Sequence, residues 1–255
     1  MEKISVASYS FRNSIKNGMS WEKIADKLNE WGIKFVELNN AFMKPKEVPD
    51  VAKIFKNKGI TPILLTIDGN NYFQGTPEGQ KGQFEWMKPW IDGAHAAGIT
   101  TIRANMGSFK SMLFKGRAFK QIVATFTPIL EYCEKLGITH TFENHGGLSA
   151  NVDFQLKFKQ AFPSKFMGYL LDFGNYRPKP LVYENIGKLK DSIKIIHAKA
   201  YEFDQNEEDT QLDYGRIIGE LKKIGYDGYY SIEYEGSLKD IDGILLTYKL
   251  LKKYL

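Results

Sequence analysis

A closed parallel (β/α)8 barrel in one domain, residues 1–255, is the fold this sequence predicts, on three observations. A glycine followed by an apolar residue and a β-rich run recurs five times: WGIKFVEL from Trp31, KGITPILL from Lys58, AGITTIRA from Ala97, LGITHTFE from Leu136 and IGYDGYYSIE from Ile224. Helical spacing precedes each, so the repeated unit is helix, turn, strand, the glycine ending the helix in a left-handed conformation that other residues adopt at a cost. Eight strand-like runs alternate with helical patterns along 255 residues, a length that α/β barrels routinely reach as one domain.

The opening MEKISVASYSF alternates in the manner of a strand and predicts one over 3–9. Trp21, Ile24, Ala25 and Leu28 keep the i, i+3, i+4, i+7 spacing of a buried stripe, giving a helix over 20–31 before a strand over 34–38. A helix over 47–58 leads to a strand at 61–67, and one over 80–97 to a strand at 100–105. The helix over 117–136 contains Thr127-Pro128, where a kink or break is expected, and leads to a strand at 138–143. Helices over 152–162 and 182–190 alternate with strands at 166–172 and 193–199. Tyr214, Ile217, Ile218 and Leu221 mark a helix over 213–224, followed by a strand at 228–233 and a last helix over 238–254. An open doubly wound sheet competes with this arrangement, but it usually carries a glycine-rich phosphate fingerprint after its first strand. SYSFRNS at 8–14 has none.

Composition narrows the function classes. With 43% hydrophobic and 25% charged residues the chain is an ordinary soluble globular protein rather than a disordered one. No run approaches the roughly 18 apolar residues of a membrane span, and no apolar leader marks export. The single cysteine, Cys133, has no partner, which suits a reducing, cytoplasmic setting. The net charge of +5 comes from scattered lysines, a weak basis for nucleic-acid binding.

In such a barrel the chemistry belongs at the C-terminal ends of the strands. Those of strands five to eight carry Glu143 in THTFENHGG, Asp172 in GYLLDFGN, His197 in KIIHAKA and Glu233 in YYSIEYEG. Thr139 and Thr141 share parity with Glu143, and Tyr229 and Ser231 with Glu233; a polar face of this kind suits the barrel interior near its mouth. Taken singly, each acid also reads as a loop charge or a helix cap. Converging, three carboxylates and an imidazole would destabilise the fold unless a cation neutralises them. Oxygen-rich ligation with one nitrogen favours a hard divalent ion, Mn²⁺ first and then Mg²⁺, with Co²⁺ or Zn²⁺ also admitted.

These four strand ends resemble those of the xylose isomerase-like TIM barrels, a superfamily of sugar isomerases and epimerases that includes ketose 3-epimerases, hydroxypyruvate isomerase, inosose dehydratase and endonuclease IV. The resemblance spans essentially the whole chain. It implies that Glu143, Asp172, His197 and Glu233 hold the metal, and that Glu143 and Glu233 flank the substrate as the catalytic acid–base pair. Loss of a proton from an α-hydroxyketone gives a cis-enediolate, the intermediate shared by epimerisation, aldose–ketose isomerisation and dehydration. The function expected is that of a metal-dependent isomerase or epimerase of a small sugar or polyol. A lyase of the inosose dehydratase type and a catalytically altered metal-binding member are the alternatives. Two departures from the family pattern stand out: Asn175 where many relatives have His, and His197-Ala198-Lys199-Ala200 where they have His-x-Lys-Asp. An endonuclease IV-like site needs three metals and more histidines than the four present, and no basic stripe tracks a nucleic acid.

Further substrate contacts are expected from Glu37 in FVELNN and Asn105 in IRANMG, which close strands two and four, although a loop or capping role competes. His145, Asn175 and Lys199 complete the substrate set, with an orienting role open for His145. His140 has the parity to face the helices, and His95 reads as a helix C-terminal residue. Most aromatics belong to the core, with Tyr9, Phe11 and Trp90 near the mouth. GSFKSMLFKGR at 107–117 reads as a basic lid or a solvated loop. Barrels of this group often pair through helices or loops, so a homo-oligomer is also expected.

Overall fold

The computed structural model describes residues 2–107 and 115–255. Strands β1 (Ile4–Ala7), β2 (Phe35–Asn39), β3 (Thr61–Ile67), β4 (Thr101–Ala104), β5 (Thr139–Glu143), β6 (Met167–Asp172), β7 (Ile193–Ala200) and β8 (Tyr229–Tyr234) close into one barrel in sequence order. Each strand runs parallel to the next, and β8 runs parallel to β1. Around them lie α1 (Arg12–Lys16), α2 (Trp21–Glu30), α3 (Val48–Asn57), α4 (Pro77–Ala96), α5 (Lys115–Lys135), α6 (Val152–Ala161), α7 (Leu181–Leu189), α8 (Tyr214–Lys223) and α9 (Asp240–Tyr254).

The recurring glycine has a common geometry. Gly32, Gly59, Gly98, Gly137 and Gly225 all have φ between 68° and 76°. The residue after each donates its N–H back over the last helical turn: Ile33 to Leu28, Ile60 to Phe55, Ile99 to Ala94, Ile138 to Cys133 and Tyr226 to Leu221. This is the Schellman stop, in which the apolar residue after the glycine caps the helix and packs inward as the chain turns into a strand. Those four isoleucines are buried.

Two expectations change. β1 ends at Ala7 rather than 9, because Ser8–Phe11 winds into a 3-10 turn that carries Tyr9 and Phe11 out of the sheet. Phe11 stacks on Trp31 at 6.4 Å. The break expected at Pro128 does not occur, and α5 runs through it. Proline removes the N–H that would bond the carbonyl of Ala124, a loss confined to one helical bond, and the hydroxyls of Thr125 and Thr127 turn back onto the carbonyls of Gln121 and Val123. Phe126, Ile129 and Leu130 bury against the sheet and hold the segment in register. Most of the basic stretch proposed as a lid, 108–114, lies outside the described residues.

Apolar burial is divided between two layers. The larger core lies between strands and helices and includes the aromatic group of Tyr72, Phe126, Phe142, Phe158 and Phe162. His140 faces this layer and is fully buried beside Tyr72, whose hydroxyl is 2.8 Å from Nε2. Burial pushes this imidazole down to about 3, so it is neutral. Inside the barrel, Ile63, Leu64, Leu170 and Ile195 form a separate plug, with Phe35 and Tyr229 packed on it. One pleat further along β2, β6, β7 and β8, the inward positions become Glu37, Asp172, His197 and Ser231. The floor is therefore apolar and the layer above it is ionic.

Candidate metal centre

Glu143, Asp172, His197 and Glu233 meet at that upper layer, one ligand atom from each lying within 4.8 Å of all the others. Parallel pairing produces the convergence: Asp172 lies opposite His197 across β6 and β7, and Lys199 opposite Glu233 across β7 and β8. His197 Nδ1 is 3.1 Å from Glu233 Oε2, 3.7 Å from Glu143 Oε1 and 3.8 Å from Asp172 Oδ2. None of the four residues is more than 8% exposed.

Three of these atoms, Asp172 Oδ2, His197 Nδ1 and Glu233 Oε2, are buried and make no hydrogen bond of good geometry, their short contacts being charge pairs among themselves and with Lys199. Buried polar atoms almost always make such a bond, and three that lack one and face a common centre are the arrangement a metal ion completes. The donor set, carboxylate oxygens with one imidazole nitrogen, matches a hard divalent cation. The residues present therefore fit the group.

Charge leads to the same conclusion. Glu37, Glu143, Asp172 and Glu233 are buried carboxylates, while Arg103 and Lys199 are the buried permanent cations beside them. The buried carboxylates outnumber these cations by two, and Asp68 and Glu235 share the same cations from the rim, so the site has a negative excess that a divalent ion would reduce. Without an ion, protons offset it. Burial raises the Asp172 carboxyl to about 6, Glu233 adding to the effect against Lys199 and His197. Burial alone would lower His197, but the carboxylates of Glu233 and Glu37 outweigh it and lift the imidazole to about 10. The partners of Glu233, His197 and then Lys199, overcome its burial and hold its carboxyl well below the usual range.

Each of these candidate ligands is oriented by a neighbour. His197 Nε2 is 2.9 Å from Glu37 Oε2, leaving Nδ1 to face the centre. Asn144 clamps the backbone of Asp172, donating to its carbonyl at 3.0 Å and accepting its N–H at 2.7 Å. Asn175 Nδ2 donates to Glu143 Oε1 at 2.8 Å, and Arg103 pairs with Glu143 Oε2. Lys199 Nζ lies 2.5 Å from Glu233 Oε2, 3.1 Å from Glu235 Oε2 and 3.4 Å from Asp172 Oδ2.

The residues expected to bind substrate separate into two groups. Glu37 lies within β2 rather than at its end, and both its oxygens are taken, by Thr66, His197 and Ser231. The sugar-hydroxyl contact expected of it gives way to the orientation of His197. Asn105, just past β4, lines a small polar cavity of about 120 Å³ with Asn70 and His145, and its Oδ1 is buried without a partner. His145 and Asn175 also line a larger cavity of about 620 Å³ that extends outward to Asn151, Arg177 and Lys188. Lys199 is buried within the cluster itself. Sequence reasoning missed Arg103, Asp68, Asn144 and Glu235. Arg103 shares parity with Asn105, so a charged residue on an interior face of β4 was the available signal.

The sequence pattern of the xylose isomerase-like TIM barrels matches residues 25–254. The chain belongs to this family. Over 144 residues it is 30% identical to the uncharacterized protein MJ1311 of Methanocaldococcus jannaschii, a match covering 52% of this chain and 47% of that protein. The aligned part of the chain thus spans about half the length of this curated relative. Among solved structures it resembles a D-tagatose 3-epimerase-like protein, with TM-score 0.77 and 20% identity over 99% of this chain and 96% of the other. An L-ribulose 3-epimerase aligns with TM-score 0.78 and 14% identity over 100% and 95%. The probable 3-DHS dehydratase AsbF of Bacillus anthracis aligns with TM-score 0.74 and 17% identity over 99% of each chain. At these identities the likeness of the xylose isomerase-like barrel to its neighbours is one of fold. No helix among the described residues is long and apolar enough to cross a membrane.

Proposed function

We propose that this xylose isomerase-like barrel is a divalent-metal-dependent isomerase of a small sugar or polyol, with 3-epimerisation of a ketose as its leading reaction. The observation that carries the reading is the convergence of buried atoms on Asp172, His197 and Glu233, none of them in good hydrogen-bond geometry, beside Glu143. These four residues would hold the ion, Mn²⁺ in first place. When bound, it would supply charge neutralisation for the two oxygens of an enediolate.

The chain's own groups then divide the work. Glu143 and Glu233 act as the proton-removing and proton-returning pair, so that a proton taken from one face of a carbon is replaced on the other. Each has a cation at hand, Arg103 for Glu143 and Lys199 for Glu233, which keeps the carboxylate in place. Asn105 and His145, in the small polar cavity, and Asn175, beside Glu143, are suited to hydrogen-bond sugar hydroxyls. The epimerases among the structural neighbours support this reading. The dehydratase among them supports a second one, loss of water from the same enediolate.

The test is a screen of free ketoses, polyols and sugar phosphates with the Mn²⁺-loaded protein in D₂O. Deuterium entering a recovered substrate with inversion at one carbon is the expected result, and Glu143→Gln and Glu233→Gln should each abolish it. Exchange that survives both substitutions refutes the acid–base assignment, and release of an unsaturated product establishes the lyase reading instead.

A further inference from the structure

We infer that Arg103, itself anchored by Asp68, is the positioning residue for Glu143, and that it fixes which oxygen of that carboxylate faces the metal; this rests on the metal reading above. Arg103 projects from β4 into the barrel and is 3% exposed. A guanidinium is not left in such a place without compensation. Nη2 pairs with Glu143 Oε2 and Nη1 with Asp68 Oδ1, so one planar fork links a buried carboxylate to one at the pocket edge.

Asp68 is firmly held. Its carboxylate accepts from Asn39 Nδ2 and from Asn105 Nδ2, both at 3.3 Å, and Asn40 bonds its carbonyl and its N–H at 2.9 Å each. Position thus passes from the ends of β2 and β3, through the guanidinium, to the carboxylate on β5. The opposite oxygen, Glu143 Oε1, accepts from Asn175 and is the one 3.7 Å from His197 Nδ1. With Oε2 taken by Arg103, the carboxylate cannot rotate, and only Oε1 is offered to the ion.

Charge and position act in opposite directions here. A nearby cation taken simply as a charge repels a metal ion, so removing it should tighten binding. As a positioning group, its removal should loosen binding by roughly 10–100-fold, the usual effect of losing a residue that orients a metal ligand. Arg103→Lys retains the charge but loses the fork.

The experiment measures Co²⁺ binding by titration and by the ligand-field absorption of the bound ion in wild type, Arg103→Met, Arg103→Lys and Asp68→Asn, with folding checked by circular dichroism. All three variants should bind Co²⁺ at least roughly tenfold more weakly. The absorption spectrum should be altered, and in a fourth variant, Arg103→Ala, added methylguanidinium should restore it. Folded variants that bind as tightly as wild type or more tightly, with an unchanged spectrum, overturn the inference. If the Arg103 variants do not fold, the absorption spectrum of Asp68→Asn decides, an unaltered ligand field overturning the inference, since loss of this 42% exposed carboxylate weakens affinity by charge alone. Wild-type protein that binds no Co²⁺ removes the metal centre itself, a failure distinct from the previous one.

Discussion

Binding of a divalent ion should expel a proton from His197, and the consequence is measurable without knowing the substrate. In the metal-free protein this imidazole lies between Glu37, at Nε2, and Glu233, at Nδ1, and is raised to about 10. At pH 7 it is therefore protonated on both nitrogens. Metal ligation needs the Nδ1 lone pair, whereas Glu37 keeps the Nε2 proton. Each ion bound at pH 7 should release about one proton, and apparent affinity should rise about tenfold per pH unit between pH 7 and 9. Three pH units below about 10, the penalty relative to a neutral imidazole is on the order of 10³ in affinity, or about 4 kcal/mol. Near and below pH 6, Asp172 begins to contribute a second proton, because burial raises its carboxyl to about 6. Stability of the metal-free protein follows the opposite trend. A folded-state value raised above the unfolded 6.5 gives stability that is present below about 6.5 and lost as pH climbs towards 10. Calorimetric titration with Mn²⁺ in buffers of different ionisation enthalpy counts the protons, and thermal melts with and without the ion test the opposed slopes. A proton count near zero at pH 7, with affinity flat to pH 9, would falsify the role of His197 Nδ1 as a ligand.

Two further outcomes test the frame that carries the site. Gly243→Ala, on α9, places a methyl group into the Tyr234 ring, which is fully buried and has its hydroxyl fixed by the N–H of Leu238 at 2.7 Å. With no direction in which to yield, the overlap should cost about 1–3 kcal/mol or more, read as a lowered urea midpoint with an unchanged slope. Phe126→Ala empties the centre of the aromatic group, where the ring meets His140, Phe142 and Phe162 at 4.8–4.9 Å between centroids. A loss of about 3–5 kcal/mol is expected, and a loss below 1 kcal/mol would show that the pocket collapses around the gap.

Five of the eight strands were legible because the helix stop before them is written locally: one glycine and one apolar residue encode both the left-handed turn and the bond back to the preceding helix, and the other three rest on their β-rich runs alone. The four proposed ligands were legible for a related reason, since a closed parallel barrel brings the ends of successive strands together and parity decides which side chains face inward. What escaped the sequence depends on distances between strands. Arg103 stands inside a strand rather than at its end, and only the closed barrel brings its guanidinium to Glu143 from one side and Asp68 from the other. Glu37 was read as a mouth residue because a strand's last residue is uncertain by one or two. A depth of one pleat separates a sugar contact from a histidine's partner. The break admitted at Pro128 does not occur because the proline's cost is local, whereas the burial that keeps α5 continuous is not.

The departure at Ala200 shows how a motif can change without the arrangement it served being lost. Read along the chain, alanine where the family carries an acid removes a substrate contact or a bond that supports the site. In the folded barrel Ala200 points away from Lys199 and is fully buried, and its carbonyl accepts the N–H of Glu235 at 2.9 Å. That bond brings Glu235 alongside, and its carboxylate reaches Lys199 Nζ at 3.1 Å from the end of β8. Lys199 is thereby held by Glu233, Glu235 and Asp172, and these carboxylates raise it well above its ordinary value although burial alone would lower it. A cation fixed in this way beside Glu233 does not depend on an acid at position 200. The alanine is then weak grounds for reading the site as disabled, because the carboxylates that hold Lys199 come from β6 and from the end of β8, and position 200 faces the other way.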